Sequence, residues 1–424
     1  MAAASPRRST GRWYIMFLIC LMYLITYLDR VNISTAAPVI SKELGFDKVT
    51  MGFIFSAFVW SYAALQVPGG WLGDRFGPRK VLTAIVTYWS VMTALTATAF
   101  SATSFFLIRL LFGAGEAGAF PVATRSMQQW YPRQERGLAQ GLSHSASRVG
   151  AAIAPPIVVA IMTAWNWQAV FYICGAVGLL WSLLWYLTYR NQPEEHPLVN
   201  KAELDYIRAG GGRSTEKADV PWAVLLRSPN MWAIMCAYFT YVYCLWIFLS
   251  WLPSYLVEFR HFTLLKVGFL ASLPLWAGVV GDTVGGLAVD WLLKKTGNIK
   301  FAHRAVAIVG LLGCAVVIVP AALTTDATIA VACLTGAMFF LECTIGPSWA
   351  VPMHVGGKYS GTVSGMMNMA GNIGGALSPI VFGVLVQYGS WVAPFVVAAG
   401  LLVLGAGVWA FWLDPEVSVL EKRR

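Results

Sequence analysis

Long apolar stretches limit what this chain can fold into. The first reads WYIMFLICLMYLITYL, from Trp13 to Leu28. The hydrocarbon core of a bilayer is about 30 Å thick, and an α-helix needs about 20 apolar residues to cross it. Twelve such stretches follow one another along the 424 residues, whereas a membrane barrel would show short strands of alternating hydrophobicity. The sequence therefore predicts an all-α membrane protein with twelve transmembrane helices.

The composition agrees with a lipid environment. Apolar residues make up 58% of the chain, charged residues only 12%, and the mean hydropathy is +0.63, which excludes an ordinary soluble domain. The predicted helices cover residues 13–40, 50–73, 80–99, 104–128, 137–163, 167–189, 230–257, 266–293, 303–323, 327–351, 359–387 and 391–413.

Basic residues predict the orientation of the bundle, because Lys and Arg are retained on the cytoplasmic side of a membrane. Most of them precede the first predicted helix or lie in loops after even-numbered helices; Arg12, Arg79 and Lys294 are examples. We expect a location in the cell inner membrane with both termini in the cytoplasm. The net charge of +10 follows from the same bias, so we expect no nucleic-acid partner.

The sequence does not predict an enzyme. Its seven cysteines lie in apolar stretches without a close CxxC or histidine pairing, and we interpret them as packing residues. The sequence contains no metal-ligand cluster, nucleophile triad or phosphate-binding loop. We therefore expect no metal and no cofactor.

An internal duplication divides the chain into two halves. Predicted helices five and six match helices eleven and twelve at a constant spacing of 224 residues. Helix four carries EAGAFP from Glu116, and helix ten carries ECTIGP from Glu342. The matches at the 224-residue spacing are Gly137 with Gly361, Gly141 with Gly365, Gly150 with Gly374, Pro155 with Pro379 and Trp167 with Trp391.

Two parallel repeats of six helices are the architecture of many alternating-access transporters. We predict an N-terminal bundle at 1–189 and a C-terminal bundle at 230–424. Residues 190–229 are predicted to form a cytoplasmic linker that is partly helical around Glu203.

The first predicted helix places Asp29 beside Arg30. A charge at the centre of a membrane helix costs about 2.5–3.5 kcal/mol, so each side chain needs a partner or a wet cavity. Neighbours on a helix point about 100° apart, and these two cannot form one simple ion pair. Either one meets a substrate while the other meets a proton or a partner helix, or both form structural ion pairs.

The fourth predicted helix carries Arg109 and Glu116, two turns apart on one face. Helix rise places Glu116 near the bilayer midplane, where a carboxylate can carry a proton. Arg109 lies nearer the end of the helix, so it either modulates this carboxylate or extends to the surface.

The fifth predicted helix carries His144 and Arg148 on one face. The 224-residue spacing places Asn368 and Asn372 at the equivalent positions of the second repeat. A guanidinium on one side and amides on the other could hold an anion that also has hydroxyl groups. Two further acids in apolar stretches, with either a structural or a coupling role, are Asp282 and Glu342.

The stretch GWLGDRFGPRK, from Gly70 to Lys80, resembles the cytoplasmic loop signature of the major facilitator superfamily. The resemblance implies the two-repeat fold of that superfamily. It also implies a gate that includes Asp74, Arg75 and Arg79.

A narrower resemblance spans essentially the whole chain. YLDRVN, RLLFGAGEAGAFP, WLPSYL and GNIGGALSP resemble motifs of the anion:cation symporters, which include carriers of hexuronates, galactonate, glucarate and phthalate. The resemblance implies that Arg30 contacts a substrate carboxylate. It implies proton handling by Asp29 and Glu116, with Arg109 acting on Glu116. It assigns contacts with substrate hydroxyls or ring faces to Tyr62, Trp349 and Asn368.

The sequence as a whole predicts proton-coupled symport of a small organic anion, such as a hexuronate or an aldonate, by a monomer in the bilayer. The alternatives are a carrier of aromatic or dicarboxylic anions, such as phthalate or tartrate, and a proton-linked exporter. The predicted substrate-binding residues are Arg30, Tyr62, Arg148, Trp349, Asn368 and Asn372.

Overall fold

The computed structural model describes residues 9–209 and 222–420, and this part of the chain contains twelve long helices. In the N-terminal half, α1 spans Gly11–Leu44, α2 Lys48–Phe76, α3 Pro78–Thr96, α4 Ala102–Trp130, α5 Arg133–Ala164 and α6 Trp167–Thr188. In the C-terminal half, α7 spans Pro229–Ser250 and continues irregularly to Phe259, α8 spans Leu264–Thr296, α9 Ile299–Leu323, α10 Ala327–Val355, α11 Ser360–Gln387, and α12 Ala393–Gly407 with a final turn Val408–Trp412.

The predicted fold class is confirmed. Among the described residues, eleven helices are long and apolar enough to cross a membrane. The remaining one, α3, has 19 residues and packs against α4 and α6 inside the N-terminal bundle. Its first turn holds the basic residues Arg79 and Lys80, and beyond it one face of the helix is buried while the other exposes Tyr88, Val91 and Leu95. The chain thus forms a bundle of twelve helices in two repeats.

Turn residues account for the sharp reversals in the first half. α1 ends at Gly45, whose φ of 70° lies in the left-handed region that glycine adopts without strain. Asp47 then caps α2 by accepting a 2.7 Å hydrogen bond from the Thr50 N–H. Between α2 and α3, Gly77 has a φ of 82° and is followed by Pro78 at the first position of α3. These connections are encoded locally.

The two repeats share an interrupted helix. The first segment of α4 is Ala102–Glu116 and the second is Ala119–Trp130. The first segment of α10 is Ala327–Glu342 and the second is Ile345–Val355. In each half the interruption follows directly after a glutamate. Interrupted membrane helices occur where binding sites are built, because freed backbone groups and side chains can then face a cavity.

Glycines allow the same helix pair to pack closely in each half. A Cβ on Gly69 of α2 would lie 2.4 Å from the Gly118 Cα of α4. The counterpart is Gly285 of α8, where a Cβ would lie 2.3 Å from the Cys343 carbonyl oxygen of α10. Small residues at such contacts let backbones approach where lipid supplies no hydrophobic driving force. The close contacts hold the interrupted helices against their neighbours beside the two glutamates.

The halves meet on one side of the bundle. We call the side at which α1 begins and α12 ends the terminal side, and the opposite side the far side. Near the far side, the Ser56 hydroxyl of α2 donates a 2.5 Å hydrogen bond to the Ala376 carbonyl of α11. The Lys48 N–H donates a 3.1 Å bond to Gln387, and the Lys48 side chain pairs with Glu258. These contacts close the far side between the halves.

Space remains between the halves towards the terminal side. Gly141 shares a helix face with Arg148, and its repeat counterpart Gly365 shares a face with Asn372. A Cβ on either glycine would meet no atom within 4 Å. In this conformation the halves are therefore less closely packed on the terminal side than at the far side.

Gly52 at the far-side contact offers a test of this closure. A Cβ there would lie 2.5 Å from the Pro379 carbonyl oxygen, which cannot move without displacing α11. We expect Gly52→Leu to separate α2 from α11 and to shift the carrier away from the far-side-closed state. Hydrogen exchange measured by mass spectrometry should then rise in far-side peptides of both helices. The matched control is Gly400→Leu, because a Cβ on Gly400 meets no atom within 4 Å; equal exchange in the two variants would contradict the assignment.

The linker is tied to the first half. Its helix, Lys201–Ala209, agrees with the predicted helical segment, whereas the glycine-rich stretch that follows lies outside the described residues. The buried Glu203 carboxylate accepts hydrogen bonds of 3.1 Å from the backbone N–H groups of Gly11 and Arg12. The Arg12 side chain adds a 2.9 Å bond to the same carboxylate. Glu203 thus neutralises the positive end of the α1 dipole and holds the linker helix against the start of α1.

Candidate functional site

Arg30 lies in an aromatic cluster at the centre of the N-terminal half. The four rings around its guanidinium carbon have centroids 4.8, 5.1, 4.6 and 5.3 Å away and belong to Tyr27, Phe58, Tyr62 and Phe120 respectively. Ring faces attract a cation at these distances, and more strongly when water is excluded. Arg30 is only 8% exposed. The predicted site residue Tyr62 therefore belongs to the surroundings of Arg30.

Glu116 is the counter-ion of Arg30. The Arg30 Nε donates a 2.7 Å hydrogen bond to Glu116 Oε1, and Nη2 forms an ion pair with the same oxygen. Glu116 is fully buried, and its Oε2 has no hydrogen-bond partner among the described residues. Removing one member of such a pair leaves an uncompensated buried charge. An anion that binds Arg30 must therefore compete with Glu116.

Asp29 belongs to a different polar group. It is fully buried, its Oδ1 accepts a 3.4 Å hydrogen bond from Asn32, and its Oδ2 has no hydrogen-bond partner among the described residues. Arg109 lies close enough to Asp29 to interact electrostatically and packs 4.6 Å from the centroid of the Phe112 ring. At 3% exposure Arg109 does not reach the surface. Asp29 and its neighbour Arg30 therefore have separate environments.

Arg148 pairs across the interface between the halves. Its Nη2 lies 3.0 Å from Glu342 Oε2 of α10 and 3.4 Å from the Tyr241 hydroxyl of α7. The Tyr241 hydroxyl donates a 3.0 Å hydrogen bond to Glu342 Oε1. Asp282 of α8 interacts electrostatically with Arg148. One guanidinium of the first half thereby contacts an acid and a phenol of the second.

The predicted residues of the second half lie at the same interface. The Trp349 indole donates a 3.0 Å hydrogen bond to the Tyr238 hydroxyl. Asn368 donates a 3.2 Å bond to Gln66 of α2 and so also connects the halves. Asn372 is 7% exposed, and its Nδ2 has no hydrogen-bond partner in the described part of the chain. An amide without a partner at this position is available to a ligand.

The predicted gate residues contact their own half in this conformation. Asp74 Oδ1 lies 3.4 Å from Arg125 Nε of α4. Arg79 donates bonds of 3.0 and 2.8 Å to the Tyr186 carbonyl at the end of α6. The Arg75 guanidinium packs over aromatic rings at the end of α2. This agrees with a terminal side at which the halves are apart.

Sequence reasoning did not identify Glu342 as the partner of Arg148. The signal was present, because Glu342 follows Glu116 at the 226-residue repeat spacing, and Glu116 was already assigned to the site. Residues that meet across two halves have no periodic relation along the chain, so their pairing required the packing of α5 against the second half. Within the described ranges there is no group of three His, Cys, Asp or Glu side chains that could hold a metal ion.

Most of the chain matches the profile of a known protein family. The profile described as Major Facilitator Superfamily matches residues 19–379. The chain belongs to the major facilitator superfamily. Membership confirms the predicted family and identifies a multi-pass membrane transporter rather than an enzyme.

Several curated relatives match this superfamily member over nearly their full length. A probable sulfoacetate transporter of Cupriavidus necator is 44% identical over 97% of this chain and 96% of its own length. A probable galactarate/D-glucarate transporter of Bacillus subtilis is 34% identical over 91% of this chain and 88% of its own. A D-galactonate transporter of Escherichia coli O6:H1 is 33% identical over 95% of each chain.

A solved structure shares the fold. The crystal structure of a bacterial homologue of the human lysosomal transporter Spinster, inward-facing and unoccupied, superimposes with a TM-score of 0.77. The alignment covers 96% of this chain and 97% of that one at 20% identity. This similarity concerns the fold alone and agrees with the two-repeat arrangement described above.

Proposed function

We propose that this superfamily member is a secondary transporter that carries a small organic anion together with protons across the cell inner membrane. The observation that carries the proposal is Arg30. A guanidinium inside a membrane bundle is costly unless it is paired, and here a single carboxylate, Glu116, neutralises it. A substrate carboxylate or sulfonate can replace Glu116 because both present oxygen atoms to the same donors.

Proton coupling follows from this replacement. When an anion occupies Arg30, Glu116 loses the only cation hydrogen-bonded to it among the described residues, and the remaining cation, Arg109, also faces Asp29. Glu116 can stay buried at low cost only by binding a proton. Asp29, which has no cationic hydrogen-bond partner in the described part of the chain, is the second proposed proton carrier, with Arg109 beside it.

Alternating access completes the proposed cycle. The observed conformation is closed on the far side and open towards the terminal side. We propose that the terminal side is cytoplasmic, in keeping with the concentration of Lys and Arg there. Protons and substrate would load from the outside, and the halves would then rock about the central site, so that the far side closes over the neutralised load and the cytoplasmic side opens to release it.

The relatives support an acidic substrate. Their names refer to sulfoacetate, galactarate, D-glucarate and D-galactonate, all of which are small organic acids. Sugar acids suit the amides of Asn368 and Asn372, which can bind hydroxyl groups. Sulfoacetate has no hydroxyl group, so the charged side chains alone would bind it.

Uptake by proteoliposomes tests the proposal. With the membrane potential held at zero, we expect labelled galactonate or sulfoacetate to accumulate inside when the outside is more acidic. Accumulation should vanish when a protonophore removes the gradient. Uptake that is insensitive to the pH difference would exclude proton symport. Loss of preloaded substrate from the vesicles, driven by the same inward proton gradient, would favour a proton-linked exporter.

A further inference from the structure

We propose that Arg148 is a second anion-binding arginine, and that the carrier therefore prefers dianions, whose two anionic groups bind at Arg30 and Arg148. This inference rests on the proposed function, since it assigns the substrate class of the same central site. Glu342 is the counter-ion that holds Arg148 while the second position is empty.

A buried glutamate recurs at the same position in both repeats. Glu116 and Glu342 are related by the internal duplication, and both are fully buried. Each is the last residue before the interruption of its helix. Each pairs with one arginine, Arg30 in the first case and Arg148 in the second. The acids occupy equivalent positions in the two repeats, whereas the arginines do not: Arg30 lies in the same half as Glu116, and Arg148 reaches Glu342 from the opposite half. What the two pairs share is a buried glutamate beside a helix interruption that neutralises one arginine of the first half.

Arg30 and Arg148 lie on neighbouring helices of the first half. α1 and α5 run in parallel, and a Cβ on Gly150 would lie 2.3 Å from the Leu24 carbonyl oxygen, so these two residues are level. Arg30 lies six residues beyond Leu24 and Arg148 two before Gly150, an axial offset of about 12 Å between their backbones. Tyr27 lies between them, with its ring centroid 4.8 Å from the Arg30 guanidinium and with an electrostatic influence on Arg148. Two long side chains whose backbones are offset by about 12 Å, and which both interact with Tyr27, can hold the two ends of a small molecule.

The charge of the substrate determines how many counter-ions are released. A monoanion on Arg30 releases Glu116 and leaves the pair of Arg148 with Glu342 intact. A dianion releases both glutamates, and the freed Glu342 must bind a proton because its other neighbours cannot neutralise it. The dianion should therefore move with one proton more than a monoanion of the same shape. The titratable or charged groups facing Glu342 are Arg148, Tyr238, Tyr241, Asp282 and Cys343. Those facing Glu116 are Arg30, Arg109, Asp29 and Tyr62.

Two matched substrate pairs test the proposal. Galactarate and galactonate differ only in that one terminal carboxylate becomes a hydroxymethyl group. Sulfoacetate and 2-hydroxyethanesulfonate differ in the same way. We expect the purified wild-type carrier to bind each dianion about 10- to 100-fold more tightly than its monoanion, as measured by calorimetry, because the extra contact is between charged groups.

Substitutions of Arg148 and Glu342 test whether these two residues cause the preference for dianions. Arg148→Gln should bring the affinity ratio within each pair close to one while monoanion binding is retained, and Arg148→Lys should keep part of the preference. The double variant Arg148→Gln with Glu342→Gln removes both members of the pair, so neither position is left as an unpaired buried charge, and loss of the site is separated from loss of folding. A ratio that stays at the wild-type value in Arg148→Gln or in the double variant would overturn the proposal.

Proton counting provides an independent measurement. In vesicles at zero membrane potential, each coupled proton multiplies the accumulation ratio about tenfold for one unit of pH difference. In the wild type, we expect the accumulation ratio of the dianion to be about tenfold higher than that of the monoanion. In Glu342→Gln, we expect the two accumulation ratios to be equal. Equal ratios in the wild type would refute the second site while proton-coupled transport stands. If no organic acid accumulates, the proposed function itself fails.

Discussion

Arg30→Ala is expected to weaken substrate binding about 30- to 5000-fold, because truncating one partner of a buried charge pair costs about 2–5 kcal/mol. The variant removes the donor that a substrate anion requires, and it also removes the cation held within about 5 Å of four aromatic rings. Equilibrium binding of galactonate or sulfoacetate to purified protein measures the loss.

Two controls make this result interpretable. The double variant Arg30→Ala with Glu116→Gln avoids an unpaired buried carboxylate, so weak binding in it reports the lost contact rather than misfolding. Arg304→Ala removes an arginine that donates to the Leu413 carbonyl, away from the central site, and should bind substrate normally. Wild-type affinity in the Arg30 double variant would remove Arg30 from the binding site.

Glu116→Gln is expected to uncouple transport from protons while substrate still binds. The amide keeps the shape of the side chain but cannot exchange a proton, so the carrier resembles the protonated state at all times. We expect counterflow of labelled against unlabelled substrate to persist. At zero membrane potential and a pH difference of one unit, the accumulation of substrate should fall about tenfold for each proton that the transport cycle no longer carries.

A matched substitution controls for the removal of a carboxylate. Glu135→Gln alters an acid that lies 3.1 Å from Arg12 and accepts a 2.7 Å bond from Tyr206, outside the central site. It should accumulate substrate as the wild type does. Full accumulation by Glu116→Gln would exclude Glu116 from coupling and would leave Asp29 as the remaining candidate of the first half.

Features with a local or periodic cause were predictable from the amino-acid order. The number and approximate position of the helices follow from the length of apolar runs, since the bilayer sets a minimum span. The duplication follows from residues repeated at 224 positions, such as Gly150 and Gly374. Even the separate environments of Asp29 and Arg30 follow from the angle between adjacent positions on a helix.

Pairing between distant helices was not predictable in this way. Arg148 was assigned to a substrate and Glu342 was left without a partner, yet they lie 3.0 Å apart across the interface between the halves. Their contact depends on how α5 packs against the second half in this conformation. No periodicity along the chain encodes a relation of that kind.

The amino-acid sequence therefore determines that the chain spans a membrane twelve times. It also determines that charged side chains lie within the membrane and need partners, because the hydrocarbon core penalises each unpaired ion. Which acid neutralises which arginine, and which side of the bundle is closed, follow from the packing of the two halves. Those properties depend on distances of a few ångströms between helices, and such distances exist only once the bundle has assembled.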